Sequence, residues 1–167
     1  TRIAVTGSNG KSTTCALTAQ LLELLVPEGV RVLRGGNDRG RQVELADLAA
    51  AATSDVGVWE VSNRHLRDRP VACDVAVLTN ISPNHTEDHG SWDAYVRAKG
   101  RLTTAPGPGG HVVLSGTDGP SRGLLDEVRA TGATPWPTSP ASPPTASTAS
   151  RLSCRVGSVS GSASCAH

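Results

Sequence analysis

Residues 2–14 read Arg2-Ile3-Ala4-Val5-Thr6-Gly7-Ser8-Asn9-Gly10-Lys11-Ser12-Thr13-Thr14. A short apolar run leads into a glycine-rich turn, then into Lys-Ser-Thr and a stretch with helical character. This layout is typical of a phosphate-binding loop, in which backbone N–H groups and a helix N-terminus face a polyphosphate. The lysine adds a positive charge, and a hydroxyl reaches Mg²⁺. The stretch therefore predicts a nucleoside triphosphate as ligand.

The glycine spacing differs from the common pattern GxxxxGK[ST], which requires glycine where Val5 stands. An ordinary strand–turn–helix corner with a chance lysine is the alternative. Gly-Lys-Ser-Thr directly after a short strand favours the phosphate loop instead. We expect the nucleotide to be bound by the loop residues Gly7, Ser8, Asn9, Gly10, Lys11, Ser12 and Thr13.

Length and charge limit the function classes. A chain of 167 residues predicts one domain, and a net charge of +1 disfavours bulk attraction to nucleic acid or to an anionic membrane. No apolar stretch approaches the roughly 18 to 20 residues that span a bilayer. The four cysteines have no metal-like spacing, which indicates scattered thiols in a reducing compartment. We expect a cytoplasmic monomer whose partners are small molecules.

Apolar runs and helical patterns alternate over residues 1–133. The runs lie at 2–6, 29–33, 56–61, 73–79 and 111–114, and the helical patterns at 11–26, 42–52, 91–105 and 120–131. Such alternation predicts an α/β fold, a mostly parallel sheet with helices on both faces. Ligands of these folds bind at the carboxyl ends of the strands. The motifs described below lie at such ends, so we expect one shared site.

The composition changes at Thr134. Residues 134–150 contain five prolines, and residues 134–167 contain no Asp, Glu or Lys. We therefore predict a nucleotide-binding domain over 1–133, which the resemblance described below implies to be ATP-binding, and a separate tail over 134–167. Two interpretations of the tail stay open: a disordered segment, and a stretch that follows loss of the reading frame near residue 134.

A carboxylate ends the third apolar run, Val56-Gly57-Val58-Trp59-Glu60-Val61-Ser62. A buried carboxylate is costly unless a cation or hydrogen-bond donors meet it. Beside a phosphate loop that cation is Mg²⁺, which is held by few protein oxygens. Glu60 is thus a candidate Mg²⁺ ligand, and Ser62 a candidate donor to phosphate or substrate. A helix N-terminal charge and cap is the alternative.

The fourth run ends in a polar loop, Thr79-Asn80-Ile81-Ser82-Pro83-Asn84-His85-Thr86-Glu87-Asp88-His89-Gly90-Ser91. Two histidines and two carboxylates close together suggest contact with metal or phosphate, and a solvated loop is the alternative. Zinc is disfavoured because no cysteine or third histidine is nearby. In the helix that Ser91 is expected to cap, Lys99 reads by composition as an ordinary surface lysine.

Together these segments resemble the central ATPase domain of the Mur ligases. Residues 6–13 are similar to the TGTNGK[ST]T loop of that family, including its short glycine spacing. Glu60-Val61-Ser62 resembles the E-[LV]-S-S strand end, and residues 80–99 resemble the N-[LIV]-[ST]-x-D-H-x-x-x-[HY]…Y…AK segment. Gly35-Gly36-Asn37, by itself only a turn, resembles a GGNxG loop of the branch that adds D-glutamate.

The resemblance implies an ATP-dependent amide ligase of peptidoglycan precursor synthesis, with ATP and Mg²⁺ as cofactors. ATP would phosphorylate a carboxylate of a UDP-muramoyl peptide, and the amine of an amino acid would attack the acyl phosphate. The implied catalytic residues are Lys11 on the β and γ phosphates, His85, and a carbamylated Lys99. Ser12 and Glu60 would hold one Mg²⁺, and His85 with Lys99 a second. Asn37 would contact phosphate or the muramoyl substrate.

The chain departs from the family pattern at several positions. Asn84 stands where an aspartate is usual, Asn63 replaces a second serine, and Glu87-Asp88 replaces Asp-Arg. Another Mur-type ligase, a folylpolyglutamate synthetase, a cyanophycin synthetase and a non-catalytic ATP-binding module therefore stay open. No segment resembles the domains that bind the uridine nucleotide or the amino acid. We accordingly expect the chain by itself to be an inactive fragment.

Overall fold

β1 (Arg2–Thr6) runs through the middle of a parallel sheet. The structure, a computed structural model, describes residues 1–37, 53–68, 71–83 and 91–138. Five further strands lie in these ranges: β2 (Val32–Gly36), β3 (Val56–Glu60), β4 (Val75–Leu78), β5 (His111–Ser115) and β6 (Thr134–Thr138). Their order is β2-β3-β1-β4-β5-β6, and every neighbouring pair is parallel. The predicted α/β class is confirmed.

Five helices connect the described strands: α1 (Lys11–Leu25), α2 (Asn63–Asp68), α3 (Trp92–Thr103), α4 (Gly119–Gly123) and α5 (Leu125–Ala130). The predicted cap of α3 is present, since the Ser91 hydroxyl accepts from the backbone N–H of Ala94 at 3.2 Å. Asp118 caps α4 in the same way through Ser121 at 2.8 Å. The helix predicted over 42–52 lies outside the described residues.

The two faces of the sheet carry separate cores. On one face α1 buries Cys15 and Ala19 against Ile3, Val5 and Val58. On the other face a larger cluster joins strand residues such as Ala76 and Val112 to Leu66 of α2, Tyr95 of α3 and Val128 of α5. Helices therefore cover both faces, as predicted from the unbroken apolar strands.

Several element boundaries differ from the prediction. β2 begins at Val32 rather than residue 29, because residues 27–30 form a turn in which Val30 N–H donates to the Pro27 carbonyl at 3.1 Å. The helix predicted over 120–131 is divided at Leu124 into α4 and α5. α2 was not predicted, since six residues are too few to show a helical period.

β6 lies beyond the boundary predicted after residue 133. Thr134 N–H donates to the Gly110 carbonyl at 2.9 Å, and the Thr138 carbonyl accepts from Gly116 N–H at 2.7 Å. Pro135 and Pro137 alternate with these paired residues, so their nitrogens face away from β5. Proline is tolerated in an edge strand only in this orientation, and there it also blocks pairing with another chain. The tail from residue 139 onward lies outside the described residues.

Two of the four cysteines lie within the described ranges. Cys15 and Cys73 are both buried, and neither forms a disulfide within the described residues. Burial, together with the negative charge of Asp74, raises the pKa of the Cys73 thiol to about 11. A thiol with such a pKa stays protonated and unreactive at neutral pH.

No helix in the described ranges is long and apolar enough to cross a membrane.

The close approach of β2 to β3 gives a stability prediction. Gly36 and Gly29 both have a positive φ, of +99° and +87° respectively. A Cβ added to Gly36 would collide with the backbone of Glu60. A Cβ added to Gly29 would meet no atom within 4 Å. We expect Gly29→Ala to lower the free energy of unfolding by about 1 kcal/mol, from backbone strain alone. Gly36→Ala should cost roughly 1 to 3 kcal/mol more, because the strands must also separate. Urea unfolding of both variants measures the difference, and equal losses would contradict the close approach.

Candidate nucleotide-binding site

The predicted phosphate loop connects β1 to α1 and lies against the end of β4. A Cβ on Gly7 would collide with Thr79 Oγ1, which shows how close the two segments are. The Thr79 hydroxyl donates to the Asn9 carbonyl at 2.6 Å. Asn80 bonds Asn9 twice, since its Oδ1 accepts from Asn9 N–H at 3.1 Å and its Nδ2 donates to the Asn9 carbonyl at 3.0 Å. The loop is thus held in one shape by the segment that follows β4.

Ser8 anchors the same loop to α3 and to the segment that follows β4. Its hydroxyl lies 2.8 Å from the Tyr95 hydroxyl of α3 and accepts from the Ser82 N–H at 2.9 Å. Ser8 N–H donates to the Asn80 carbonyl at 2.9 Å. Ser8 is therefore placed to fix the loop, and the direct nucleotide contact predicted for it stays a prediction.

The N-terminus of α1 is open for an anion. Gly10 occupies the N-cap position without a side-chain cap, and the first turn contains no acidic residue. Lys11 Nζ donates to the Gly7 and Ser8 carbonyls at 3.0 and 3.1 Å, which keeps its charge over the loop. Thr13 is exposed on the same turn. Uncapped N–H groups and a nearby ammonium are what a polyphosphate requires.

Glu60 is the buried carboxylate of this site. Only 3% of it is exposed, although it ends a strand next to solvent-facing loops. Ser12 Oγ donates to Glu60 Oε2 at 2.7 Å, and Asn37 Nδ2 approaches Oε1 at 3.5 Å. Asn37 N–H also donates to the Glu60 carbonyl at 3.0 Å. Ser12, Asn37 and Glu60, which are far apart in sequence, therefore meet beside the phosphate loop.

The carboxylate oxygens of Glu60 and the hydroxyl oxygen of Ser12 fit a magnesium ion better than a metal that prefers nitrogen or sulfur. A carboxylate and a hydroxyl next to a phosphate site are the few hard ligands that Mg²⁺ takes from protein. Among the described residues there is no cluster of three or more His, Cys, Asp or Glu side chains that could hold a metal by themselves. Phosphate oxygens are then needed to complete the coordination of a metal at Glu60.

Lys99 is buried, so its interpretation as a surface lysine is wrong. It is 1% exposed, and its Nζ donates to the Gly7 carbonyl at 2.9 Å and to Asn63 Oδ1 at 2.7 Å. The same Nζ lies 4.8 Å from the centroid of the Tyr95 ring. Burial, reinforced by the positive charge of Lys11, lowers the pKa of Lys99 to about 7.

The helical period explains why Lys99 faces inward. Tyr95, Lys99 and Leu102 stand at positions i, i+4 and i+7 of α3, which share one face of a helix, and all three are buried. The signal was present in the sequence, because the apolar neighbours mark that face as the core side.

Other predicted residues have different outcomes. Ser62 begins the turn into α2, and its hydroxyl lies 3.2 Å from His65 Nδ1, so it contacts a histidine that the sequence did not single out. His85 lies outside the described residues. The predicted nucleotide roles of the loop, Asn37 and Ser62 stay predictions, as does the metal role of Glu60. Asn63 and Tyr95 approach the loop only through the packing of α2 and α3, so no local sequence pattern predicts their positions.

Comparison with known proteins gives a family match over most of the chain. The profile described as the Mur ligase middle domain matches residues 5–155. UDP-N-acetylmuramoylalanine–D-glutamate ligase of Sphingopyxis alaskensis is 36% identical over 129 residues, which cover 75% of this chain and 28% of that protein. The enzyme of the same name from Phenylobacterium zucineum is 40% identical, with coverages of 77% and 26%. The chain thus spans about a quarter of the length of these relatives.

Solved structures share the fold. A UDP-N-acetylmuramoyl-L-alanyl-D-glutamate–2,6-diaminopimelate ligase superposes with a TM-score of 0.64 at 23% identity and covers 84% of this chain and 33% of its own. MurF ligase from Thermotoga maritima in complex with ADP gives 0.58 at 22% identity, with coverages of 81% and 31%. A bifunctional folylpolyglutamate synthase/dihydrofolate synthase with Mn, AMPPNP and L-glutamate bound gives 0.53 at 22% identity, with coverages of 81% and 42%.

The lowered pKa of Lys99 predicts a pH-dependent stability. Between pH 7 and the ordinary lysine pKa of 10.5, the folded state holds fewer protons than the unfolded state, so raising the pH stabilises the fold. Relative to Lys99→Met, the wild type should gain up to about 1.4 kcal/mol of unfolding free energy per pH unit from pH 7 to 9. Urea unfolding in CO₂-free buffer measures this gain. Parallel pH profiles of the two proteins would show that Lys99 is charged in the fold.

Proposed function

Because the chain belongs to the Mur ligase family, we propose that it forms the ATP-binding part of a ligase that joins D-glutamate to UDP-N-acetylmuramoyl-L-alanine. The observation that carries the proposal is the meeting of an uncapped helix N-terminus, Lys11 and the hydrogen bond from Ser12 to the buried Glu60 at one sheet edge. The names of relatives at 36% and 40% identity support the choice of D-glutamate.

The phosphate loop would bind the triphosphate. The backbone N–H groups in the first turn of α1 donate to phosphate oxygens, and Lys11 moves from the loop carbonyls to the β and γ phosphates. The anchoring of Asn9 by Asn80 keeps these donors in place before the nucleotide arrives. Such preorganisation supports phosphoryl transfer because little reorganisation is then needed in the transition state.

Ser12 and Glu60 would hold Mg²⁺ next to the phosphates. When bound, the ion neutralises phosphate charge. Hydrogen bonds already join the two oxygens of Glu60 to Ser12 and Asn37, which supports a role for Ser12 and Glu60 as neighbouring ligands of the first ion. Solved proteins of this fold with ADP, or with AMPPNP and Mn, are consistent with nucleotide and metal binding here.

A second Mg²⁺ would be held by His85 and by Lys99 in carbamylated form. The amine of Lys99 stands beside the Gly7 carbonyl, so a carboxylate built on it would remain at the phosphate loop. The lowered pKa of Lys99 favours the neutral amine that reacts with CO₂. Asn37 and Ser62 would contact phosphate or the muramoyl substrate.

The reaction then runs in two steps on the substrates. The substrate carboxylate takes the γ-phosphoryl group, and the amine of the amino acid displaces phosphate from the acyl phosphate to form the amide. Lys11 stabilises the oxygens of the transferred phosphoryl group, and the loop holds the nucleotide in one position.

We further propose that the protein is a cytoplasmic monomer, without nucleic-acid or membrane partners.

Nucleotide binding tests the role of the loop. We expect Lys11→Ala to weaken binding of Mg²⁺–ATP by about 10- to 100-fold in calorimetry, because a charged hydrogen bond to phosphate is lost. Arg129→Ala on α5 is the matched control, since it also removes one positive charge from an exposed side chain. Equal affinities of Lys11→Ala and the wild type would refute the assignment of the loop.

Substrate dependence tests the ligase activity. The product of the complete gene should release phosphate from ATP only with both UDP-N-acetylmuramoyl-L-alanine and D-glutamate, and Glu60→Gln should lower kcat by at least about 100-fold by weakening metal binding. Release with other muramoyl peptides, or with a folate and L-glutamate, would assign a different ligase of this fold. ATP binding without any substrate-dependent release would indicate a non-catalytic module.

A further inference from the structure

Asn63 lies where the family pattern has a serine, and its side chain faces the amine of Lys99. Asn63 is the first residue of α2, directly after the strand that carries Glu60. Its Oδ1 accepts from Lys99 Nζ at 2.7 Å, the shorter of the two bonds that this amine makes to Asn63 and Gly7. Within the described residues Lys99 has no carboxylate partner, so its placement depends on these two neutral acceptors.

The two acceptors differ in what they can do after the amine reacts with CO₂. In that reaction the nitrogen lone pair forms a bond to carbon, one C=O electron pair moves to oxygen, and a proton leaves the nitrogen for solvent. The product, R–NH–COO⁻, keeps a single N–H and gains two acceptor oxygens. The Gly7 carbonyl can only accept, whereas the Asn63 amide also has two donors.

We propose that Asn63 is a positioning residue that holds Lys99 in both forms. Its Oδ1 accepts from the free amine. After the side-chain amide has rotated by about 180°, its Nδ2 donates to a carbamate oxygen. The inference rests on the proposed function, in which Lys99 becomes carbamylated. A serine hydroxyl donates and accepts as well, so the departure at this position preserves the chemistry that the step needs.

Substitutions that separate donor from acceptor test the proposal. Asn63→Asp keeps an acceptor for the amine but has no donor, and its charge repels a carbamate. With ¹³C-bicarbonate, the carbamate signal of this variant in ¹³C NMR should fall at least about tenfold below that of the wild type. Asn63→Ser should keep the signal within about twofold because its hydroxyl can donate. Lys99→Met identifies the signal, and Gln20→Glu on the exposed side of α1 controls for the added negative charge.

The outcomes are distinct. A wild-type signal in Asn63→Asp would overturn the proposal, as would an equal loss in Asn63→Asp and Asn63→Ser. Thermal melting shows whether each variant is folded. Because the carboxylate in Asn63→Asp would also pair with the Lys99 ammonium and so disfavour its reaction with CO₂, Asn63→Ala, which lacks a donor and adds no charge, should lose the signal as well. A wild-type signal in Asn63→Ala would also overturn the proposal. Absence of the carbamate from the wild type would overturn this inference and the second metal site at Lys99, whereas the calorimetric and phosphate-release assays judge nucleotide binding and ligase activity separately.

Discussion

The parallel pairing of β1 with β3 on one side and β4 on the other determines where every candidate site residue lies. It aligns Val5 with Glu60 and Thr6 with Leu78, so the phosphate loop, the buried carboxylate and the Thr79–Asn80 segment leave the sheet at one edge. A register shift of one residue would turn Glu60 to the other face of the sheet. The three segments then close on one another through short polar contacts, of which the Thr79–Asn9 bond at 2.6 Å is the shortest.

Two buried ionisable side chains flank this loop, and neither has a partner of opposite charge among the described residues. Glu60 is met by a hydroxyl and an amide, and Lys99 by a carbonyl and an amide oxygen. Burying such groups costs free energy that neutral hydrogen bonds offset only in part. Buried ionisable groups with this arrangement are concentrated at functional sites, where ligands supply the missing charge. A negative polyphosphate with its metal would compensate both groups if, as proposed, phosphate binds beside the lysines and the cation beside Glu60.

The sequence predicted the parts of this site that are local and left out the parts made by packing. The phosphate loop, Glu60 and the cap at Ser91 each follow from a few adjacent residues. The structure has the loop between β1 and α1, Glu60 at the end of β3 and the Ser91 cap, while the nucleotide and metal roles stay predictions. β6 was not foreseen because prolines usually end a strand, and only the pairing with β5 shows that their nitrogens face outward. α2 was too short to have a period. The contact between Asn63 and Lys99 joins residues 36 positions apart in the chain. No local sequence pattern predicts such a contact.

Tyr95 shows that the core and the candidate site cannot vary independently. Its ring lies in the larger core, stacked on Trp92 with centroids 5.8 Å apart, while its hydroxyl lies against Ser8 and its face lies under the Lys99 amine. A shift of α3 that repacked this core would move the loop and the lysine together. Phe and Met are absent from the chain, so few large side chains are available to fill the space that such a shift would open. The position of α3 on the sheet is therefore a condition for the geometry of the loop as much as for the stability of the fold.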